Sequence, residues 1–485
     1  IGHTAISTGA YAKDHGIVNN EWFSLGVKIK ADDDDNSESA VILKKDGIST
    51  YALKEKVGKS AKNIMVDNLS DQIVLANGPK SKYNLLSISL KSRAAVSLAG
   101  HMGSSAGAFG SKAIWFDEKA AFFTSSKAYY DKLPDWLVKF NNDQKFDQIK
   151  SFKWNLYFDK AAEQYKFPQV NNYKYSTIGH SIIGKSIGID KNTKDPYALY
   201  LSTPMANKAL INLAQVALEN TIKENNNKTL LWLSLSSLDK IGHLYGPQAI
   251  EYLDMIYQMD HQLKEFMDFI YSKFNKNDVL FVLTADHGMQ PIYEVTKDQG
   301  MPMAKRLHEK EIIQQINSLI SKKYSIDKLV SKFKAPFLYF DIKKFEKLDD
   351  QTQEKIYKDV KKHLLSIHGI GRVWSEKELH NKIFQAGDVG WYFKNQTFPG
   401  RSGQIIYEVR PYSFMDNLPT GTTHLSPQNY DRQVPLIFYQ PGRFDKKAIF
   451  ENVSMLSVPV SLSYILGVPR PSMATLNPLP GLSLK

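Results

Sequence analysis

Asp286 and His287 stand side by side in L-F-V-L-T-A-D-H-G-M (residues 280–289), where a run of strand-forming apolar residues stops and Gly288 follows. A strand buried on both faces of a parallel sheet reads as such a run, and ligands sit beyond the carboxyl ends of these strands. The sequence therefore sets a carboxylate and an imidazole at the functional edge of a sheet. Two further segments extend the set. In S-L-D-K-I-G-H-L-Y-G-P, after an expected strand over 230–235, Asp239 and His243 are four positions apart. That spacing can lay both side chains on one face of a helical turn, and Gly242 and Gly246 let the backbone pass close by. His424, in G-T-T-H-L-S-P-Q-N-Y-D, precedes an expected strand over 434–439. Any one of these histidines reads more readily as an ordinary surface or core residue. Together they are three imidazoles and two carboxylates at the ends of three strands taken as parallel, a donor set that suits two adjacent zinc ions.

The elements that must position these residues follow from periodicity and turn chemistry. The strand at 230–235, a long helix over 248–274 and the strand at 279–283 make a βαβ unit. Upstream, a helix over 71–77 precedes a strand over 85–90. Lys91 and Arg93 fall at that strand's end, two apart and so directed to one side. The segments 113–117 and 120–124 form a hairpin, and 134–140 a short helix. A helix over 205–222 carries Ala209, Leu210, Leu213, Val216 and Ala217 on one face. Further helices are expected over 311–322 and 353–366, a strand over 336–340, and a final helix over 458–466 closed by Gly467. The reading is one α/β domain over residues 1–485: a central, mostly parallel sheet flanked by helices, with cap insertions at about 97–204 and 294–385.

Bulk composition bounds the function. The chain has 485 residues, 42% hydrophobic, enough for a large core. It has no run of about 18 apolar residues, the length that spans a bilayer. The formal net charge is +12, but the lysines are spread without a basic block. That favours a generally basic surface, attractive to small anions, over a nucleic-acid footprint. There is no cysteine, which removes thiolate metal sites, cysteine nucleophiles and disulfides together.

Taken in order, the opening G-H-T-A-I-S-T-G-A-Y-A-K-D-H-G-I-V-N-N, D-K-I-G-H-L-Y-G-P, T-A-D-H-G-M, T-T-H-L-S-P-Q-N-Y-D-R-Q-V-P-L-I-F and the closing P-G-L-S-L resemble the alkaline phosphatase superfamily, and within it the PafA-type alkaline phosphatases. The likeness runs essentially end to end. It implies two Zn2+ sites: one formed by Asp239, His243 and His424, the other by Asp286 and His287 with a first-strand aspartate and a nucleophilic threonine. It also implies that Asn20, Lys91 and Arg93 hold the transferred phosphoryl group. The family's threonine and first-strand aspartate map ahead of Ile1, so the chain is expected to be an N-terminally truncated form, inactive or unstable by itself. Thr4 and Thr8 are expected to be helix-surface hydroxyls. Leu425 stands where the family usually has glycine, a departure that narrows the space around one zinc.

The resemblance implies hydrolysis of small phosphate monoesters through a phosphothreonine, by a periplasmic or secreted, monomeric enzyme. The zinc ions activate the hydroxyl and take charge from the leaving oxygen, while Arg93 binds two phosphoryl oxygens in a bidentate fashion and Lys91 adds a point charge. Two readings compete: a phosphodiesterase of the nucleotide pyrophosphatase type, expected to lack the Lys-x-Arg pair, and a non-catalytic fragment.

Overall fold

Continuous apolar runs in short strands dictate a layer that is covered on both sides. The computed structural model describes the chain except residues 35, 37–38, 46–47, 52–57, 167–172, 226 and 483–485. The end of the closing P-G-L-S-L is thus outside the described residues. The main layer contains β1 (Tyr83–Ser89), β2 (Lys112–Asp117), β3 (Phe122–Thr124), β4 (Lys228–Ser234) and β5 (Phe281–Thr284). The first four form one sheet in the order β4–β1–β2–β3. Both β4 and β2 run parallel to β1, and β3 returns antiparallel along β2. A second, wholly antiparallel sheet holds β6 (Val330–Lys334), β7 (Phe337–Phe340), β8 (Ile370–Ser375) and β9 (Ile405–Val409), in the order β6–β7–β9–β8. The last strand, β10 (Leu436–Tyr439), pairs antiparallel with β5.

Side-chain alternation shows that β4, β5 and β10 share one layer. Leu230 and Trp232 of β4, Leu280 and Val282 at β5, and Leu436 and Phe438 of β10 pack against the core containing Ile6, Leu69, Ile73 and Val458. Their alternates Leu231, Leu233 and Phe281 pack against the opposite core, with Ile88, Leu210 and Phe266. Among the described residues β4 and β5 are not hydrogen-bonded to each other.

The main helices are α1 (Gly2–Thr8), α2 (Ser92–Ala99), α3 (Pro204–Glu224), α4 (Ser237–Tyr245), α5 (Ile250–Lys273) and α6 (Ser457–Leu466). Gly9 and Gly467 close α1 and α6 with φ of 67° and 68°, the left-handed turn that glycine adopts without steric cost. On α3, Ala206, Ala209, Leu210, Leu213, Ala214 and Ala217 are buried, close to the face read from the sequence. No helix among the described residues is long and apolar enough to cross a membrane.

Three expectations need correction. The hairpin at 113–117 and 120–124, read as part of a cap, belongs to the main sheet as β2 and β3. The second lobe does not end near 385: β9 lies between β7 and β8 and closes that sheet. Its core joins Ile312, Ile316 and Ile320 to Ile356, Val360 and Leu364, residues spaced to line one face of each of two helices. The strand before which His424 lies is antiparallel to β5, not parallel. Strand sense is set by partners far away in sequence, so local patterns do not carry it.

Ile88 lies near the carboxyl end of β1, fully buried in the main core. Ile88→Ala is expected to cost about 2–5 kcal/mol, read as a lower denaturant midpoint at unchanged slope in urea unfolding.

Candidate active site

The antiparallel pairing of β10 is what brings His424 into the site. Thr284, the last residue of β5, lies opposite Leu436, the first of β10. The loop entering β10 therefore opens at the same sheet edge as the loop leaving β5, which carries Asp286 and His287. At the end of β4 the chain enters α4, where Asp239 and His243 lie one helical turn apart.

These residues converge on one oxygen. Asp239 Oδ1 lies 3.3 Å from His243 Nε2, 3.6 Å from His424 Nε2 and 3.7 Å from His287 Nε2. The His287 and His424 rings stack with centroids 3.5 Å apart. Asp286 Oδ2 is 3.5 Å from His287 Nε2. Asp239, His243 and His424 each offer a ligand atom within 4.8 Å of the others. His243 Nδ1 donates to the Thr422 carbonyl at 2.9 Å, and His287 Nδ1 to the Gly288 carbonyl at 2.8 Å. With the proton on Nδ1, each imidazole keeps its Nε2 lone pair free for a cation. Asp239 Oδ1 is buried and accepts no hydrogen bond. An orphaned carboxylate oxygen ringed by imidazole nitrogens has the donor chemistry of a divalent metal site.

The charges in the cluster act strongly on one another: burial works to lower the His243 imidazole, but Asp239 holds it above its ordinary range. Burial works to raise the Asp239 carboxyl, but the His243 imidazole beside it and the charges of Lys91 and His287 hold it well below the usual carboxylate range. Asp286 is partly buried, and His3 and His287 depress it likewise. Burial, reinforced by His287, lowers His424 to about 3, so its ring is neutral and able to ligate near neutrality.

The other candidates are placed unevenly. Lys91 Nζ donates to Asp239 Oδ2, so one carboxylate oxygen is held by an ammonium while the other faces the imidazoles. Lys91 and Arg93 are not two positions on a strand end. Strand β1 stops at Ser89, Lys91 is the residue entering α2, and Arg93 is in that helix's first turn. Asn20 is exposed at the residue before a short strand, Glu21–Ser24, and its side chain makes no hydrogen bond among the described residues. The structure does not tie it to the cluster. Thr4 and Thr8 are on α1 but are buried, not on its surface. Thr4 Oγ1 donates to Ser97 Oγ at 3.2 Å and Thr8 Oγ1 to the Thr4 carbonyl at 2.7 Å. Gly242 and Gly246 serve packing: a Cβ at Gly242 would lie 2.7 Å from Met289 Cε, and one at Gly246 2.9 Å from Ile292. Leu425 has φ of 108°, backbone that favours glycine, and its side chain is exposed beside His424.

Several supporting residues escaped the sequence reading. His3 bridges the ends of β5 and β4, with Nδ1 3.0 Å from Asp286 Oδ2 and Nε2 2.9 Å from Ser234 Oγ. Its position in the opening Gly-His pair was the available signal. Gly2 beside it allows close approach, since a Cβ there would lie 2.4 Å from the Asp286 carbonyl oxygen. Gly288 likewise presses against Tyr430, whose carbonyl oxygen would be 2.0 Å from a Cβ. Thr422 supplies the carbonyl that orients His243, and nothing in its residue type announces that.

Comparison with known proteins accords with this geometry. A family model described as type I phosphodiesterase / nucleotide pyrophosphatase matches residues 1–425. The chain is similar to alkaline phosphatase PafA of Elizabethkingia meningoseptica, at 26% identity over 491 residues covering 99% of this chain and 84% of that protein. It is also similar to alkaline phosphatase PhoV of Synechococcus elongatus, at 24% identity over 485 residues covering 97% and 81%. The crystal structure of wild-type PafA superposes with a TM-score of 0.80 at 23% identity, covering 99% of this chain and 88% of that one. In sum, the chain has the alkaline phosphatase fold and belongs to the type I phosphodiesterase / nucleotide pyrophosphatase family of phosphoester hydrolases.

Proposed function

We propose that the protein hydrolyses phosphate monoesters at a centre holding two zinc ions. The observation that carries this reading is the buried Asp239 Oδ1, which accepts no hydrogen bond and has three imidazole Nε2 atoms around it. Asp239, His243 and His424 would hold one ion, and Asp286 and His287 would contribute to the other. Bound zinc supplies Lewis acidity, drawing charge from phosphoryl oxygens and lowering the pKa of a coordinated hydroxyl or water.

This chain's own residues bind and orient the ester. Arg93, in the first turn of α2, can take two phosphoryl oxygens with its planar fork. The free backbone N–H groups at the start of α2 and the positive end of its dipole also favour an anion there. Lys91, at the same helix entrance, pairs with Asp239. A monoester presents more anionic oxygen than a diester, so such a cluster of cationic donors favours the monoester. Asn20 remains a proposed phosphoryl contact on the family resemblance alone. The nucleophilic hydroxyl is proposed to come from the threonine that the resemblance places ahead of Ile1, because Thr4 and Thr8 direct their hydroxyls inward. A periplasmic or secreted location is proposed from the same resemblance.

The competing reading is a phosphodiesterase, the activity in the matching family model's name. Hydrolysis of para-nitrophenyl phosphate against its bis ester tests the choice. The zinc-loaded protein carrying the threonine that the resemblance places ahead of Ile1 is expected to turn over the monoester faster; preference for the bis ester would overturn the assignment. The 485 residues alone are expected to bind zinc and release little nitrophenol. Arg93→Ala in the active form is expected to lower kcat/KM for the monoester about a hundredfold or more, with bis ester hydrolysis much less affected. His424→Ala is expected to lower the zinc content found by metal analysis after dialysis.

A further inference from the structure

Arg306 lies outside the ligand set, yet its guanidinium links the two loops that deliver it. Its Nε donates to Glu294 Oε1 at 2.8 Å and its Nη2 to Glu294 Oε2 at 2.7 Å, a bidentate pair. The remaining donors go to backbone: Nη2 to the Gly421 carbonyl at 2.9 Å and Nη1 to the Leu418 carbonyl at 3.2 Å. The guanidinium stands over the Phe414 ring at 4.5 Å, and only 5% of the Arg306 side chain is exposed.

Each end of this pair touches a metal-ligand segment. Glu294 lies in the short helix that follows the Asp286–His287 loop. Gly421 immediately precedes Thr422, whose N–H donates to the His243 carbonyl at 3.0 Å and whose own carbonyl accepts from His243 Nδ1 at 2.9 Å. The Thr422 hydroxyl donates to the Gln290 carbonyl at 3.1 Å, back on the Asp286–His287 side. Gly421 has φ of 76°, and a Cβ there would lie 2.5 Å from the His243 carbonyl oxygen, so this turn is pressed onto the ligand helix.

We propose that Arg306, paired with Glu294, is a positioning residue for the metal centre: it fixes the turn at residues 418–421, and with it the carbonyl that sets the His243 tautomer and the backbone that delivers His424. The proposal rests on the zinc reading above. A planar fork is needed, because one side chain must meet a carboxylate and two carbonyls at once.

The test compares the parent chain with a double variant, Arg306→Met and Glu294→Met. The double variant replaces the buried pair by apolar side chains, an exchange that folds commonly tolerate. Zinc affinity is measured by competition with a chromogenic chelator, and melting is followed on the metal-free proteins. The expected result is a zinc Kd raised about 10–100-fold with melting close to the parent's. Should the double variant not fold, Arg306→Lys keeps a charge beside Glu294 and is expected to show the same weakening. A variant that folds and binds zinc as the parent does would overturn the proposal alone. A parent that binds no zinc would overturn the zinc reading and this inference with it.

Discussion

Asp239 is a carboxylate taken out of water with one oxygen left unpaired, and the rest of the site is arranged around that oxygen. Burying a lone anion costs several kcal/mol or more. Here the cost is offset on one side only, where Lys91 donates to Oδ2. The other oxygen meets imidazole nitrogens that come from α4, from the loop after β5 and from the loop before β10. Such a cluster is frustrated unless a cation sits among its members. Groups that must leave their lone pairs unused inside the fold are held by everything around them, which is why the surrounding backbone is so closely laced.

The lacing uses backbone more than side chains. His243 and His287 each give their Nδ1 proton to a carbonyl, so the fold has chosen which nitrogen faces inward. Gly2, Gly288 and Gly421 allow main chain to lie against main chain where any Cβ would intrude. The second lobe takes part as well. Arg306, at its start, holds the turn before His424, and the Phe414–Met415 strand that pairs beside it leads into that turn. A lobe that looks like a separate antiparallel sheet is thereby mechanically joined to the ligand loops.

The cationic groups proposed to hold a phosphoryl anion are set by a different device. Lys91 and Arg93 occupy the entrance of α2, where the helix has unpaired N–H groups of its own. Side-chain charge and backbone dipole then add in one place. Leu425 adds an exposed apolar side chain on strained backbone beside His424, and strain of this kind gathers at functional sites.

The donor types, the four-residue spacing of Asp239 and His243 and the apolar runs of β1, β4 and β5 were legible in the amino-acid order alone. They are local properties: periodicity follows from backbone geometry, and ligand chemistry from residue type. The face of α3 and the glycine stop at Gly467 were legible for the same reason. Only the tertiary structure decided that β10 runs antiparallel to β5, that β2 and β3 belong to the main sheet, that β9 completes the second one, and that His3 and Thr422 bond to the carboxylate and imidazole of the cluster while Arg306 bonds to the turn ahead of His424. Each of those outcomes is a pairing between residues far apart in the chain. Such pairings are settled by hydrogen bonds and burial in three dimensions, which leave no periodic trace in one.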